Sequence, residues 1–197
     1  MYEIELKAHV TDKSETIRKL NSFAQYVGFT DKADRYWTLD KPDAPNQHIT
    51  VRIRTEIHNP ESDNETKNVV LTYKRKEIIK KNGTVCEVND EKECTLSKSD
   101  PVKSLLQDTG FYVSLKKHKL VDAWTFATPA GKALLELCTV PPLGDFLEIE
   151  ILSAANDSAS VEAAREQLEI LLGRCGLPKS AVEPRYYRDL LHDAESL

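Results

Sequence analysis

The sequence predicts an α+β protein in which about eight antiparallel strands close into a barrel, with helices on its flanks. Strand-like alternation dominates the chain, in eight or nine stretches against only a few helical ones. Six of those strands carry charged residues at i and i+2, on one face of each strand. The charged faces segregate by sign, and the helices are too few to give a sheet of this size a full apolar partner. Alternation in any one strand fits the solvated face of a half-buried sheet, whereas a closed sheet with charged faces inward and apolar faces outward beneath the helices satisfies all three observations together.

Each element follows from local pattern. Residues 2–10 alternate Tyr2, Ile4 and Leu6 with Glu3, Glu5 and Lys7. Asp12 and Glu15 read as a capping box that opens a helix, with Ile17, Leu20, Phe23 and Val27 on one stripe and Gly28 stopping it. A strand near Ala33–Leu39 ends in the turn Lys41-Pro42-Asp43-Ala44-Pro45-Asn46, and His48–Glu56 is again a strand. The polar, aperiodic stretch from Ile57 to Asn68 reads as a mobile loop between strands. Val69–Ile79 and Thr84–Leu96 flank Asn82-Gly83, a hairpin dipeptide. Ser99-Asp100-Pro101 starts a short helix through Val102, Leu105 and Leu106, with Gly110 past its end. Strands then fill Phe111 to Leu152, broken at Pro129-Ala130-Gly131 and Pro141-Pro142-Leu143-Gly144. Val161–Leu172 is amphipathic, Gly173 and Gly176 suit its C-cap, and a last short helix covers Arg185–Asp193. No linker interrupts these elements, so one domain over residues 1–197 is expected.

Composition excludes several classes. The longest apolar runs fall far short of the roughly 20 residues that cross a bilayer, so no membrane partner is expected. Twenty-seven basic against 32 acidic residues, net −5, speak against nucleic acid. The start of the chain lacks the basic and apolar regions of a secretory signal, which favours the cytoplasm. Cys86, Cys94, Cys138 and Cys175 have no C-x-x-C spacing and read as reduced packing residues. His9, His48, His58, His118 and His192 are scattered, and Trp37 and Trp124 fit core positions in strands.

The charged pairs carry the chemistry. Glu3 and Glu5 with Lys7, Glu91 with Glu93, and Glu148 with Glu150 gather carboxylates; Arg52 with Arg54, Lys74 with Lys76, and Lys117 with Lys119 gather cations. Two carboxylates about 4 Å apart repel by roughly 4 kcal/mol at an effective dielectric near 20, so clustered glutamates call for protons or a cation. Oxygen-only ligands point to a hard divalent ion, and grouped arginines and lysines call for an anion. Polyphosphate with Mg²⁺ or Mn²⁺ answers both, and metal-assisted attack on a phosphoryl group is the chemistry that follows.

The Glu3-x-Glu5-x-Lys7 opening resembles the signature of the CYTH superfamily, the triphosphate tunnel metalloenzymes, which includes class IV adenylyl cyclases, thiamine triphosphatases and inorganic triphosphatases. Asp34-Arg35-Tyr36, Val51-Arg52-Ile53-Arg54, Leu71-Thr72-Tyr73-Lys74, Glu91-x-Glu93, Lys117-x-Lys119, Leu143-Gly144-Asp145-Phe146-Leu147-Glu148-Ile149-Glu150 and Arg185-Tyr186-Tyr187-Arg188-Asp189-Leu190-Leu191 follow in the family's order, so the resemblance covers nearly the whole chain. It implies a barrel tunnel that binds a triphosphate. Glu3, Glu5, Glu148 and Glu150 are then the carboxylates for Mg²⁺ or Mn²⁺, with Glu3, Glu5 and Glu150 the catalytic set. Lys7, Arg52, Arg54, Lys74, Lys117, Lys119 and Arg185 are the substrate-binding cations, Arg185 and Tyr187 being equally suited to closing or packing one mouth. Glu91 and Glu93 would orient these cations or hold waters of a second metal.

The implied reaction is hydrolysis of a phosphoanhydride in a nucleoside, inorganic or thiamine triphosphate. The alternatives are a class IV cyclase, converting ATP to cyclic AMP and pyrophosphate, and a module that binds polyphosphate or nucleotide without turnover. The implied partner is a triphosphate-containing small molecule, and a homodimer is allowed for. Two positions depart from the family: Lys117-His118-Lys119 stands where Lys-x-Arg is frequent, and Cys138 stands where an Asp is frequent, with Glu136 on the same face as a substitute.

Overall fold

A computed structural model describes residues 2–40, 48–81, 84–153 and 157–195, with side chains described at 3–40, 49–73, 92–152 and 157–194. The expected turn at 41–46 and Asn82-Gly83 lie outside these residues, and the side chain of Cys86 lies outside the described side chains. The elements are β1 (Tyr2–Val10), α1 (Lys13–Phe23), β2 (Gln25–Asp40), β3 (His48–His58), β4 (Thr66–Lys81), β5 (Thr84–Thr95), α2 (Asp100–Asp108), β6 (Tyr112–Thr128), β7 (Gly131–Val140), β8 (Gly144–Ser153), α3 (Ser158–Arg174) and α4 (Tyr187–Glu195). The strand order β1-β5-β4-β3-β2-β6-β7-β8 closes into the expected antiparallel barrel, β8 returning to β1 over nine paired positions from Tyr2↔Ser153 to Val10↔Asp145.

Three boundaries differ from the sequence pattern. Asp12 caps α1 by accepting the Glu15 N–H at 2.9 Å, but the helix ends at Phe23, because Ala24 is already extended. Val27 therefore belongs to β2 and is exposed, and Gly28 lies inside that strand with φ of 135°, a conformation that glycine adopts without steric cost. The loop after β3 is also shorter than its polarity suggests, since β3 continues to His58 and β4 begins at Thr66. Arg185 precedes α4 instead of opening it.

The chain forms two compact units: Met1–Phe29, Lys76–Asp90 and Leu120–Leu197 in the first, Thr30–Arg75 and Glu91–Lys119 in the second. In the first unit, Ile4, Ala8, Ala133, Leu135, Leu137, Leu147, Ile149 and Ile151 line the apolar face of β1, β7 and β8. Leu20 of α1 and Val161, Ala164, Leu168, Leu171 and Leu172 of α3 cover that face. Removing this much apolar surface from water, at about 25 cal/mol per Å², is what holds α3 on the sheet. In the second unit, Trp37 and Ile53 pack against Leu106, Val102 and Phe111, so α2 and the segment after it cover the apolar face of β2 and β3. No helix among the described residues is long and apolar enough to cross a membrane.

Candidate active site

Antiparallel pairing puts opposed residues on the same side of a sheet, so register determines which charges meet. In the first unit, Glu5 lies opposite Glu150, Lys7 opposite Glu148, and Glu136 opposite Glu148. Glu136, Glu148 and Lys7 thus form one row across β7, β8 and β1. Glu150 and Glu5 belong to the next row, with Glu3 two residues further along β1. Among the described residues two groups are close enough to share an ion: Glu3, Glu5 and Glu150, and Glu136, Cys138 and Glu148, the ligand atoms of each lying within 4.8 Å of one another. The four carboxylates expected to act together are thus divided, with Glu148 in the second group.

The donor sets differ in chemistry. Three carboxylates suit a hard cation such as Mg²⁺ or Mn²⁺, whereas the Cys138 sulfur is a soft donor that Mg²⁺ takes poorly. Register also explains why a thiol sits there. Cys138 lies opposite Val121 on one side and Phe146 on the other, and with Val140 and Leu190 of α4 these residues form a buried apolar cluster. Position 138 is the end of the charged face, where it becomes core.

The chain after α3 borders that end. Val182 bridges to Ala8, and the Glu183 N–H donates to the Lys7 carbonyl at 2.8 Å. The Lys7 ammonium donates to the Arg185 carbonyl and stands 4.1 Å from the centroid of the Tyr187 ring. Tyr187 in turn meets Phe146 edge-on at 5.2 Å. Burial, and then the Glu148 carboxylate, push the Tyr187 hydroxyl far above its usual pKa, so it stays protonated. The Arg185 guanidinium lies on Glu183, its Nε 3.0 Å from Oε1 and its Nη2 2.7 Å from Oε2, with a further contact to Asp193 at 3.3 Å. That fork holds the Glu183 carboxyl down at about 2 despite its burial, helped by the Arg185 N–H and His9.

The second unit collects the cations. Its rows run Tyr36–Arg52–Thr72, Asp34–Arg54–Val70 and Lys32–Glu56–Asn68 across β2, β3 and β4. The Arg54 Nε donates to Asp34 Oδ1 at 2.6 Å and its Nη2 donates to Oδ2 at 3.1 Å. Lys117 of β6 lies 3.2 Å from Asp34 Oδ2 and donates to the Tyr36 hydroxyl at 3.2 Å. Arg52 Nη2 donates to Thr72 Oγ1 at 2.9 Å and to Glu93 at 3.2 Å, while the Thr72 hydroxyl donates to Glu93 at 2.6 Å. Desolvation alone would raise the Asp34 pKa, but the Arg54 hydrogen bonds and the charges of Lys117, Arg54 and Arg52 hold it well below the carboxylate range. Burial likewise opposes ionisation of Tyr36, yet Lys117 and the two arginines keep its hydroxyl below the usual value.

Burial separates this face from an ordinary solvated one. Thr30, Lys32, Asp34, Thr38, Thr72, Lys117 and Lys119 are seven of the nine buried polar or charged residues among the described ones, and all lie in the second unit. Of the expected phosphate-binding residues the unit brings together Arg52, Arg54 and Lys117, while Lys119 is buried on the same face of β6. The side chains of Lys74 and Glu91 lie outside the described ones. Lys32 was missed, although its signal was available: Thr30, Lys32, Asp34, Tyr36 and Thr38 share one face of β2 at i,i+2, and Lys32 is only 9% exposed.

The CYTH domain family model matches residues 1–187. The PH1819 protein of Pyrococcus horikoshii OT3 is 26% identical, with a TM-score of 0.75 over 98% of this chain and 99% of that one. A candidate adenylate cyclase from Vibrio parahaemolyticus is 18% identical, TM-score 0.70, over 98% of each chain. HpAC1 from Hippeastrum, a candidate adenylyl cyclase with a dominant triphosphatase activity, is 15% identical, TM-score 0.60, over 98% of this chain and 95% of that one. At these last two identities the likeness speaks for the fold. No curated protein matches the sequence significantly.

Proposed function

The chain belongs to the CYTH domain family, and from that premise we propose that it is a divalent-metal-dependent enzyme that hydrolyses a phosphoanhydride in a triphosphate compound. The observation that carries the reading is the convergence of Glu3, Glu5 and Glu150 within 4.8 Å, on a chain that also buries Lys117 and Lys119 and half-buries Arg52 and Arg54. Three like charges at that spacing are stabilised by a hard cation, and buried cations by an anion.

Glu3, Glu5 and Glu150 would hold Mg²⁺ or Mn²⁺, which when bound supplies Lewis-acid polarisation of phosphoryl oxygens. Arg52 and Arg54 offer planar forks for phosphate oxygens, and Lys7, Lys74, Lys117 and Lys119 offer point charges. Arg185 contributes at the end of the face beside Lys7. Burial strengthens the contacts of Lys117 and Lys119, and in part those of the half-buried Arg52 and Arg54, relative to water. The domain spans the whole chain, since β2, β4, β5 and β6 each run through both units, and the enzyme works in the cytoplasm.

The test is a product-resolved assay with tripolyphosphate, ATP and thiamine triphosphate, each with Mg²⁺ and Mn²⁺. Orthophosphate release is expected. Cyclic AMP with pyrophosphate from ATP would replace hydrolysis by the cyclase reaction. Tight tripolyphosphate binding that survives EDTA, with no product under Mn²⁺, would replace the enzyme by a binding module.

A further inference from the structure

We propose that Asp34 is a positioning residue, whose carboxylate fixes the Arg54 guanidinium and the Lys117 ammonium where they take phosphate oxygens. The inference rests on the functional reading above and deepens it.

The Asp34 side chain is 0% exposed, and both of its oxygens are engaged: Oδ1 with Arg54 Nε at 2.6 Å, Oδ2 with Arg54 Nη2 at 3.1 Å and Lys117 Nζ at 3.2 Å. A buried ion pair is weak evidence for stability, since well-packed apolar groups of similar volume often serve the fold as well. What it does achieve is orientation. Asp34 takes the Nε–Nη2 edge of Arg54 and so sets the plane of the guanidinium. The Nη1 nitrogen is turned toward Glu56, 3.7 Å away and beyond hydrogen-bond reach. Lys117, a flexible four-carbon stem, is fixed by Asp34 and the Tyr36 hydroxyl together. Arginine and lysine lose much rotamer freedom on gripping a ligand, and side chains already ordered in the free protein spare most of that cost.

The rival role for Asp34 is competition: a carboxylate beside two cations also lowers their attraction for an anion. The two roles predict opposite outcomes for Asp34→Asn, which keeps the shape, removes the charge and turns an amide toward one of the cations. Tripolyphosphate affinity with Mn²⁺, and kcat and KM for its hydrolysis, would be measured for the wild type, Asp34→Asn, Arg54→Lys and the double variant. Positioning predicts that each single variant raises Kd and KM about tenfold or more while kcat changes less than about threefold, because the lost contact is made equally in ground and transition states. It also predicts that the double variant is no worse than the weaker single, since both remove the same fixed fork. A folded Asp34→Asn protein, checked by its melting temperature, that binds tripolyphosphate as tightly as wild type or more tightly would overturn the proposal, as would multiplicative losses. If Asp34→Asn does not fold, Arg54→Lys decides: it keeps a cation beside Asp34 but loses the fork, so a tenfold loss supports the proposal and wild-type affinity overturns it. A wild-type protein that neither binds nor cleaves tripolyphosphate refutes the functional reading itself and takes this inference with it.

Discussion

In the second unit the cations are folded around a carboxylate of their own, with Asp34 between Arg54 and Lys117 and Glu93 beside Arg52 and Thr72. In the first unit Glu3, Glu5 and Glu150 meet one another within 4.8 Å, and half of that charged face ends in the apolar cluster of Cys138, Phe146 and Leu190. The difference lies in how each region meets the cost of its charge. The cationic region is ordered by internal counterions, and the carboxylates of the first unit come close enough together to share a divalent cation. On the proposed function, the cations would hold phosphate and the carboxylates the metal.

The largest effect should come from removing the metal. EDTA should lower orthophosphate release from tripolyphosphate by at least about a hundredfold, with recovery on adding Mn²⁺ or Mg²⁺, as measured by phosphate detection. Turnover unaffected by EDTA would erase the contrast between the regions. Next in size, Mn²⁺ should raise the melting temperature of the wild type through binding to the folded state. Glu5→Gln should abolish that rise and Arg52→Gln should keep it, as differential scanning fluorimetry would record.

A smaller effect concerns pH. Glu183 is held at about 2 in the fold by Arg185, so its contribution to stability is complete above the unfolded-state pKa near 4.3 and disappears as pH falls toward about 2. Glu183→Gln should therefore flatten the acid limb of the melting curve in that window and leave the limb above pH 7 unchanged. The smallest expected change is Arg174→Ala, which removes a guanidinium stacked 3.9 Å from the Phe23 ring and 4.5 Å from the Phe126 ring. Its cost in urea denaturation should be about 0.5–1 kcal/mol.

How much of this was legible beforehand depended on whether a feature is local. Alternation alone separated Ile4 from Glu5 and Ile53 from Arg54, because period two assigns a face without knowledge of neighbours. The length of β2 was not legible, since Thr30, Asp31 and Lys32 look like loop until a closed sheet buries alternate members. For the same reason Lys32 was overlooked, and Asp34 stood out only as part of a family pattern. The grouping of Glu148 with Glu136 and Cys138 depends on the β7–β8 register, which sequence does not state. Cys138 drew notice as a departure from the family, but only its place opposite Val121 and Phe146 gives that departure a physical reason. The end of α1 was misplaced because Gly28 has the composition of a stop signal, while the β-forming Tyr26 and Val27 had already turned the chain into strand.

The most direct test of this division of labour is steady-state hydrolysis of tripolyphosphate with Mn²⁺ by Glu150→Ala and Arg52→Ala measured side by side. The account predicts that Glu150→Ala lowers kcat by about a hundredfold or more, and that Arg52→Ala raises KM about tenfold with kcat nearly kept. Wild-type kcat in Glu150→Ala, or the same change in kcat and KM for both variants, would contradict it.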